Sequence, residues 1–348
     1  MITITIIGAG MMGTALCWPL RDNDHTVRLV GTPLDDEIIA SIRERQFHPT
    51  LERVIPEGVI PYSHAQLPAA IEGADILVSG VSSFGVEWFI ETVGPFFHPD
   101  VPVIAVTKGL AVQENGDLLV FPELTKMGIS AELKEKVSLN AIGGPCTAHE
   151  LAARRQTSVV FCGKDLDNLM MLRQNFTTDY YHIWLSTDMV GVETCAALKN
   201  AYALAVGIAV GMMEKAGPDG LADMYNPQAA IFAQACFEMS RLLEVMGGDV
   251  ENAAWLPGAG DLYVTIYGGR TLKLGKLIGG GLSYREARER LPGITLESVE
   301  IITRLGEALP KLAERGLLRV DQYPLLNHLN LIVNHGRKVD FPWESFFT

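Results

Sequence analysis

The chain is 348 residues long, 48% of its residues are hydrophobic, 20% are charged, and its formal net charge is −13. This length exceeds the size at which a single hydrophobic core usually stops growing, so we expect two domains. The negative charge argues against nucleic-acid binding and against attachment to anionic membranes, because contacts with phosphate groups require a basic surface. We therefore expect neither a nucleic acid nor an anionic membrane surface as the partner.

The cysteines, the histidines and the amino terminus predict a cytoplasmic protein without a bound metal. Five widely spaced cysteines favour a reducing compartment over a disulfide framework or a zinc site. None of the eight histidines forms an H-E-x-x-H pair, and MITITIIGAG lacks the basic region of a signal peptide. The longest apolar runs are predicted to fall short of a membrane span, so no integral membrane association is expected.

Up to about residue 188, short apolar runs alternate with helical patterns. This alternation is typical of βαβ units, in which helices cover both faces of a largely parallel sheet. We therefore assign residues 1–188 to a first domain of the α/β class. Its strands are predicted near residues 3–7, 26–30, 75–80, 102–106, 137–142, 157–161 and 181–185.

A glycine-rich loop follows the first predicted strand and opens the first predicted helix. In TIIGAGMMGTAL, Gly8, Gly10 and Gly13 have G-x-G-x-x-G spacing, which suits a tight turn, a pyrophosphate and close helix packing in that order. The helix start at Met11 and Met12 offers unpaired N–H groups and the positive end of the helix dipole to phosphates. We predict a Rossmann-type dinucleotide-binding domain.

The end of the second predicted strand leaves open whether the cofactor is NAD or NADP. An acid at this point usually holds the hydroxyls of the adenosine ribose, whereas a nearby arginine accommodates the 2′-phosphate of NADP. Here the strand ends at Gly31 and Thr32, no acid follows until Asp35, and Arg28 lies inside the strand. Thr32 is therefore a cofactor-binding candidate, and the two cofactors stay alternatives.

From about residue 189 the sequence has helical periodicity, and strand signals are nearly absent. Residues 189–348 are predicted to form an all-α domain. Gly207 and Gly211 are spaced so that another helix can come close. That helix belongs either to a second copy of the chain, in a homodimer, or to the same domain.

One lysine, Lys199, lies inside the apolar stretch ETCAALKNAYALAVGIAVGMM at residues 193–213. Burial of an ammonium group without a partner is costly. Either Lys199 lies at the helix edge and extends its head group into water, or it is held in a closed site where it transfers protons. The stretch by itself favours the first interpretation.

Other stretches place glycines and polar residues where a ligand would bind. Lys108 in VIAVTKGLAV and Gly144 in NAIGGPCTAHELA each follow a buried strand, at the carboxyl end where such folds bind ligands. In PGAGDLYVTIYGGR, Asp261 and Thr265 are four residues apart, on one face if helical, and Arg270 follows. Taken singly, each of these residues is equally compatible with ordinary surface or capping polarity.

Together these segments resemble the NAD(P)-dependent glycerol-3-phosphate dehydrogenase family over essentially the whole chain. The similar segments are IIGAGMMGTAL, VTKGL, GGPCTAHELA, ETCAALKNAYALAVG, GAGDLYVT and the GGR stretch, whose order and spacing suit the family. The resemblance implies a Rossmann-type domain followed by a helical substrate domain. It also implies NAD or NADP as the cofactor and a small phosphorylated molecule as the substrate.

The resemblance further implies roles for individual residues. Lys199 would donate and accept the proton, Lys108 would assist at the carbonyl, and Asp261 would support the lysines. The residues implied near the substrate are Asn200, Thr265, Arg270, Thr271 and Gly144, of which Thr265 and Arg270 would lie at the phosphate. The residues implied at the cofactor are Gly8, Gly10, Met11, Met12, Gly13, Thr32, Lys108, Ala148, Arg270 and Glu297.

The implied reaction interconverts dihydroxyacetone phosphate and glycerol 3-phosphate. A reduced nicotinamide delivers hydride to the ketone carbon, and the developing alkoxide needs a proton and positive charge. In the company of Lys108 and Asp261, we expect Lys199 to supply that proton. The fixed fork of the Arg270 guanidinium suits a phosphate dianion.

Three positions depart from the family pattern. Arg270 is followed by Thr271 rather than asparagine, and Ser298 replaces the glycine that follows the carboxylate of Glu297. The loop PCTAHE lacks the more usual serine–phenylalanine pair. Because Thr271 and this loop lie where the substrate is read, another phosphorylated polyol or ketose, or a hydroxy acid, is the alternative substrate.

A nicotinamide-binding sensor without catalytic activity is the alternative from another class of protein. Lys108, Lys199 and Asp261 argue against it, because a sensor has no need of a proton donor.

Overall fold

The computed structural model describes residues 1–217 and 225–348, which divide into two compact units. The first unit comprises Met1–Lys108 and Phe121–Met189, and the second comprises Gly109–Val120 and Val190–Thr348.

Twelve strands lie in the described residues, eight of them in one sheet of the first unit. They are β1 (Thr3–Ile7), β2 (Thr26–Val30), β3 (Phe47–His48), β4 (Arg53–Val54), β5 (Val59–Tyr62), β6 (Ile76–Ser79), β7 (Val103–Ala105), β8 (Leu110–Val112), β9 (Leu118–Val120), β10 (Leu139–Gly143), β11 (Thr157–Gly163) and β12 (Tyr181–Ser186). The sheet has the order β12-β11-β10-β7-β6-β1-β2-β5, and β3–β4 and β8–β9 form separate pairs. Within the sheet only β10 and β11 pair in antiparallel fashion.

Fifteen α-helices lie in the same described ranges. They are α1 (Met11–Ala15), α2 (Cys17–Asp22), α3 (Asp36–Arg45), α4 (Leu67–Ile71), α5 (Val86–Val93), α6 (Phe121–Gly128), α7 (Ala148–Ala152), α8 (Leu166–Phe176), α9 (Met189–Ala216), α10 (Tyr225–Met246), α11 (Asp261–Thr265), α12 (Gly269–Gly279), α13 (Tyr284–Glu289), α14 (Glu297–Glu314) and α15 (Pro324–His335).

The sheet of the first unit confirms the α/β prediction, and all seven predicted strands are present in it. Buried Ile, Leu and Val side chains of β1, β2 and β6 form much of the core, as expected for parallel strands covered on both faces. The eighth strand, β5, was missed because it contains Pro61. It lies at the edge of the sheet beside β2, where a proline is tolerated.

The chain order creates a switch point beside β1. After β1 the chain adds β2 and β5 on one side, and it then returns to add β6 on the other side of β1. Open α/β sheets bind ligands at such a point, outside the carboxyl ends of the strands. The glycine-rich loop at residues 8–13, called the glycine loop below, leaves β1 at this position.

The first predicted domain was wrong over residues 109–120, which belong to the second unit. This segment is the β8–β9 hairpin, and it packs on α14. The Arg304 guanidinium donates to the carbonyl of Leu110, and Arg315 donates to Asp117 at 2.6 Å. The hairpin is therefore held by contacts with residues almost 200 positions away in the chain, which no local pattern indicates.

The apolar helix α9 is the centre of the second unit. Its 28 residues make it long and apolar enough to cross a membrane, so the prediction that the apolar runs fall short of a span was wrong. Glycines did not end the helix, because tertiary packing compensates for their low helix propensity. The apolar window is 83% buried inside the protein, as in a core helix.

Gly207 and Gly211 of α9 allow α12 of the same unit to come close. A Cβ on Gly275 would lie 2.7 Å from the Cα of Gly207, and a Cβ on Gly211 would lie 2.7 Å from the Cα of Lys276. The glycine spacing is thus explained by packing within one chain, and it gives no support to the predicted homodimer.

Candidate active site

Two of the three loop glycines are required by the protein's own packing. Gly8 has a φ of +112°, and a Cβ there would lie 2.7 Å from the carbonyl carbon of Gly80. A Cβ on Gly13 would run into the carbonyl oxygen of Gly8. These glycines therefore bring β1, the loop and the end of β6 into close contact.

The third loop glycine, Gly10, is not required by packing. Its φ is −67°, and the nearest atom to an added Cβ would be the Gly80 oxygen at 3.9 Å. The missing side chain instead leaves the backbone open to a ligand, just before α1 begins at Met11 and Met12. The first N–H groups of a helix have no acceptor within it, so this arrangement fits the pyrophosphate of a dinucleotide.

Asp35 and His48 hold the glycine loop from outside the motif, and the sequence analysis did not assign either residue to the site. One carboxylate oxygen of Asp35, Oδ2, accepts hydrogen bonds from Ala9 N–H at 3.2 Å and from Thr32 N–H and hydroxyl at 2.8 Å each. His48 Nε2 bonds the Ala9 carbonyl at 2.8 Å. Thr32, a predicted cofactor residue, thus positions the acid that follows it.

The predicted residues after β7 and β10 lie at adjacent strand ends of the first unit. The Lys108 ammonium donates to the carbonyl of Gly144 at 3.1 Å, and the Thr107 hydroxyl donates to the Val81 carbonyl at 2.7 Å. Ala148 begins α7 shortly after Gly144. Because β7 and β10 are parallel neighbours, their carboxyl ends share one edge of the sheet, as predicted for a ligand-binding edge.

In the second unit, Lys199 and Asp261 form a buried ion pair. Lys199 Nζ donates to Asp261 Oδ1, and the two side chains are 10% and 0% exposed. The interpretation of Lys199 as a residue that extends into water was therefore wrong. Asp261 begins α11 directly after a π-helical turn over Leu256–Gly260, and its carboxylate contacts Lys199 of α9.

The crossing of α9 and α12 brings further predicted residues toward the same end of the second unit. The two helices cross where Gly207 contacts Gly275, and their amino-terminal halves lie on the same side of this crossing. Lys199 and the adjacent Asn200, which is also buried, lie about two turns before Gly207. Arg270 lies about one and a half turns before Gly275, at the start of α12.

Arg270 and Glu297, both predicted at the cofactor, are close to each other in the second unit. Their nearest nitrogen and oxygen atoms are 3.9 Å apart, and the Arg270 side chain is half exposed. Thr265 was predicted at the substrate phosphate, but its hydroxyl donates to the Asp261 carbonyl at 2.7 Å. That hydrogen must be redirected before Thr265 can donate to a phosphate.

The comparisons with known proteins agree with this geometry. A family model described as the N-terminus of NAD-dependent glycerol-3-phosphate dehydrogenase matches residues 3–169, and the corresponding C-terminus model matches residues 188–343. The chain belongs to the NAD-dependent glycerol-3-phosphate dehydrogenase family. This family consists of oxidoreductases with a dinucleotide-binding domain, so the predictions of family, fold class and enzyme class are confirmed.

Individual members of the glycerol-3-phosphate dehydrogenase family are similar over nearly their whole length. An NADP(+)-dependent glycerol-3-phosphate dehydrogenase from Archaeoglobus fulgidus is 37% identical over 288 residues, which cover 83% of each chain. A glycerol-3-phosphate dehydrogenase [NAD(P)+] from Bacillus pumilus is 29% identical, over 98% of this chain and 93% of the relative. The crystal structure of glycerol-3-phosphate dehydrogenase from Coxiella burnetii is 25% identical, with a TM-score of 0.80, over 99% and 97% of the two chains.

Two of the three departures from the glycerol-3-phosphate dehydrogenase pattern, Thr271 and Ser298, are buried in the second unit. Thr271 is 9% exposed in the first turn of α12, and Ser298 is fully buried in the first turn of α14. The Ser298 hydroxyl has no hydrogen-bond partner within residues 1–217 and 225–348. Both departures therefore lie beside Arg270 and Glu297, where a small change in side chain can shift those two charged groups.

Proposed function

We propose that the chain interconverts dihydroxyacetone phosphate and glycerol 3-phosphate, with Lys199 as general acid and base. The buried pair of Lys199 and Asp261 carries this proposal. A buried lysine held by a carboxylate is oriented for proton transfer, whereas an exposed lysine would sample many geometries. The glycine loop supports the part of the proposal that concerns the cofactor.

In the direction of reduction, NADH or NADPH held at the glycine loop would supply a hydride to the ketone carbon. As the carbonyl oxygen gains negative charge, the ammonium of Lys199 stabilises it and transfers one proton to it. The product is an alcohol, and the lysine is left as a neutral amine that regains a proton from solvent. In the reverse direction the neutral amine accepts the proton of the alcohol.

Asp261 keeps the Lys199 ammonium in one orientation and balances its charge before the reaction. Lys108 assists at the carbonyl: a lysine carries three donors, and its bond to Gly144 fixes the direction of one of them. Arg270 binds the phosphate of the substrate. Its guanidinium is half exposed, and its loose pairing with Glu297 at 3.9 Å leaves it able to turn toward a dianion.

The deciding experiment measures oxidation of NADH and of NADPH, in separate reactions, with dihydroxyacetone phosphate. Unphosphorylated dihydroxyacetone serves as the matched substrate control. We expect turnover with the phosphorylated ketone and little or none with the control, because phosphate binding orients the carbonyl for hydride transfer.

Two results would contradict the proposal in different ways. Turnover of the unphosphorylated ketone or of a 2-oxo acid, at the expense of dihydroxyacetone phosphate, would show that the substrate assignment is wrong. Dinucleotide binding without turnover of any ketone phosphate would favour the alternative of a non-catalytic sensor.

A further inference from the structure

A cavity of about 740 Å³ lies in the second unit, at the carboxyl-terminal end of α9. Its wall is formed by this end of α9, by the turn from α12 to α13 and by the segment that follows α15. Ala216 on this wall is about 25 Å from Lys199 along the helix, at a rise of about 1.5 Å per residue. The cavity is therefore separate from the Lys199–Asp261 pair, and its volume suits a small molecule.

Apolar side chains form one part of the cavity lining. Ile278 of α12 and Ile332 of α15 are 3% and 1% exposed, and Met212, Leu282 and Val339 are half-buried. An apolar group that covers such side chains gains about 25 cal/mol for each Å² of apolar surface removed from water. An inorganic ion has no apolar surface to contribute, so this lining favours an organic ligand.

Arg337 and Lys338 place two adjacent positive charges at the exposed rim of the cavity. In the ranges 1–217 and 225–348, no carboxylate oxygen lies within 4.0 Å of either of these cations. The rim is thus a basic spot on a chain whose formal net charge is −13. Such a local field attracts an anion.

Glu286 is a carboxylate on the same wall, but it is engaged at the start of α13. Its Oε2 accepts from the Ser283 N–H at 2.8 Å and from the Ser283 hydroxyl at 2.7 Å, as part of a capping box. These two bonds hold the carboxylate over the helix start. The cations of the rim therefore keep their attraction for a ligand.

The basic segment after α15 is fixed by its own main chain. The helix ends at Gly336, which has a φ of +65°, and the N–H of Arg337 donates to the carbonyl of Leu331 at 3.0 Å. The N–H of Asp340 donates to the His328 ring at 3.2 Å. Because this backbone is already held, the rim needs little ordering when a ligand binds, which favours affinity.

We propose that this cavity binds a small organic anion that combines an apolar body with a charged group. The apolar body packs against Ile278 and Ile332, and the charged group lies at Arg337 and Lys338. Dihydroxyacetone phosphate has a charged group but hardly any apolar surface. The ligand is therefore a molecule other than the substrate of the proposed reaction, and its binding does not depend on that reaction.

The test compares two fluorescent probes that share one apolar ring system, anilinonaphthalene sulfonate and the uncharged phenylnaphthylamine. Both are titrated into the purified full chain in the presence of saturating NAD+, which keeps the probes out of the glycine loop. We expect one molecule of the sulfonate per chain, bound at least about tenfold more tightly than the uncharged probe. Added salt should weaken the binding of the sulfonate, because the rim charges are exposed.

Arg337→Glu reverses one charge at the rim. It should raise the dissociation constant of the sulfonate by about tenfold and leave that of phenylnaphthylamine unchanged, because only the sulfonate is charged. Arg285→Glu is the matched control: it reverses the same charge on α13 at a side chain that is 89% exposed and lies outside the cavity lining. An equal loss in both variants would indicate diffuse attraction by the surface and overturn the proposal.

Val339→Trp fills part of the cavity from a half-buried position outside the helices. It should weaken the binding of both probes by at least about tenfold, because the indole occupies the space of the apolar body. Leu317→Trp, at a position that is 49% exposed and outside the lining, is the control. This pair of variants locates the probe even if Arg337→Glu does not fold.

Three results would overturn the proposal and leave the proposed function intact. Equal affinity of the unaltered protein for the two probes would show that the rim does not select for charge. Unchanged binding of the sulfonate by Val339→Trp would place the probe elsewhere on the protein. Absence of saturable sulfonate binding in the presence of NAD+ would show that the cavity takes no organic anion.

Discussion

The glycine loop and the Lys199–Asp261 pair are two kinds of site. The loop offers main-chain groups to a ligand within six consecutive residues, and its neighbours Asp35 and His48 hold the backbone in place. The pair consists of two buried side chains that are 62 residues apart in the chain. Binding of a nucleotide thus depends on local backbone geometry, whereas the proposed proton transfer depends on the packing of separate helices.

Asp261 and Glu238 are two buried carboxylic acids of the second unit whose partners differ. Asp261 faces an ammonium group, whereas the donors to Glu238 of α10 within residues 1–217 and 225–348 are all neutral. These donors are the side chains of Tyr202 and Gln234 and the N–H groups of Leu325 and Leu326. Burial raises the pKa of Glu238 to about 7. Burial without a cationic partner therefore favours the neutral form of Glu238.

The largest effect is expected from Lys199→Met, which removes the proposed acid. Turnover of dihydroxyacetone phosphate should fall by about a hundredfold or more, the usual scale for acid–base catalysis, while NADH affinity stays near normal. Steady-state kinetics and NADH titration measure the two quantities. Lys215→Met, in the exposed last turn of the same helix, is the control. Retention of most of the turnover would remove Lys199 from the mechanism.

Lys199→Met also leaves Asp261 buried without its ammonium partner, which should cost about 3–5 kcal/mol of unfolding free energy. The double variant Lys199→Met/Asp261→Asn removes both charges, and it should regain stability without regaining turnover. Urea denaturation and kinetics measured on the same samples separate these effects. Turnover that returned together with stability would indicate that the pair is structural.

The glycine loop is tested by comparing Gly10→Ala with Gly13→Ala. An alanine fits at position 10 in the folded protein, so unfolding free energy should change by at most about 1 kcal/mol. Its Cβ would nevertheless weaken NADH binding by at least about tenfold, because the pyrophosphate needs close approach to the backbone. Gly13→Ala should lower both stability and binding, since its Cβ meets Gly8. Unchanged NADH binding by Gly10→Ala would contradict the proposed nucleotide site.

A smaller effect is expected from Arg270→Ala. The loss of a charged hydrogen-bond donor should raise the KM for dihydroxyacetone phosphate by about tenfold or more and lower kcat less. Arg285→Ala is the control, because that side chain is 89% exposed and pairs only loosely with Glu289 at 3.5 Å. An unchanged KM would mean that the phosphate is bound by other residues.

An effect on stability rather than on activity is expected from Glu238, whose protonation makes the free energy of unfolding depend on pH. The pKa of Glu238 is about 7 in the folded protein, whereas an ordinary glutamate, as in the unfolded chain, has a pKa of 4.5. Between these pH values the folded protein therefore binds more protons than the unfolded chain. Protonated Glu238 therefore contributes about 3 kcal/mol to the free energy of unfolding. This contribution is fully present below about pH 4.5 and is lost as the pH rises through 7.

Glu238→Gln should remove this pH-dependent contribution, which urea denaturation between pH 5 and 8 measures as the difference from the unaltered protein. His25, His48 and His328 have lowered pKa values and act in the opposite direction, but they are the same in both proteins. Glu244→Gln, an exposed position on the same helix, is the control. Parallel pH profiles for all three proteins would contradict the raised pKa of Glu238.

Sequence patterns predicted the features that depend on near neighbours in the chain. The seven strands were visible as short apolar runs, and the glycine loop was visible in its spacing. The family resemblance added Lys108, Lys199 and Asp261 as a set, and their roles stay predictions. The β8–β9 hairpin was misassigned, since its position depends on Arg304 and Arg315 near the end of the chain.

The sequence by itself determined the two kinds of unit and the loop that suits a dinucleotide, because hydrophobic period and glycine spacing act over a few residues. Only the tertiary structure decided that Lys199 is buried against Asp261, that Gly207 and Gly211 accommodate α12, and that Asp35 reaches Ala9. Each of these contacts joins residues far apart in the chain, so its energy depends on how whole helices and strands pack.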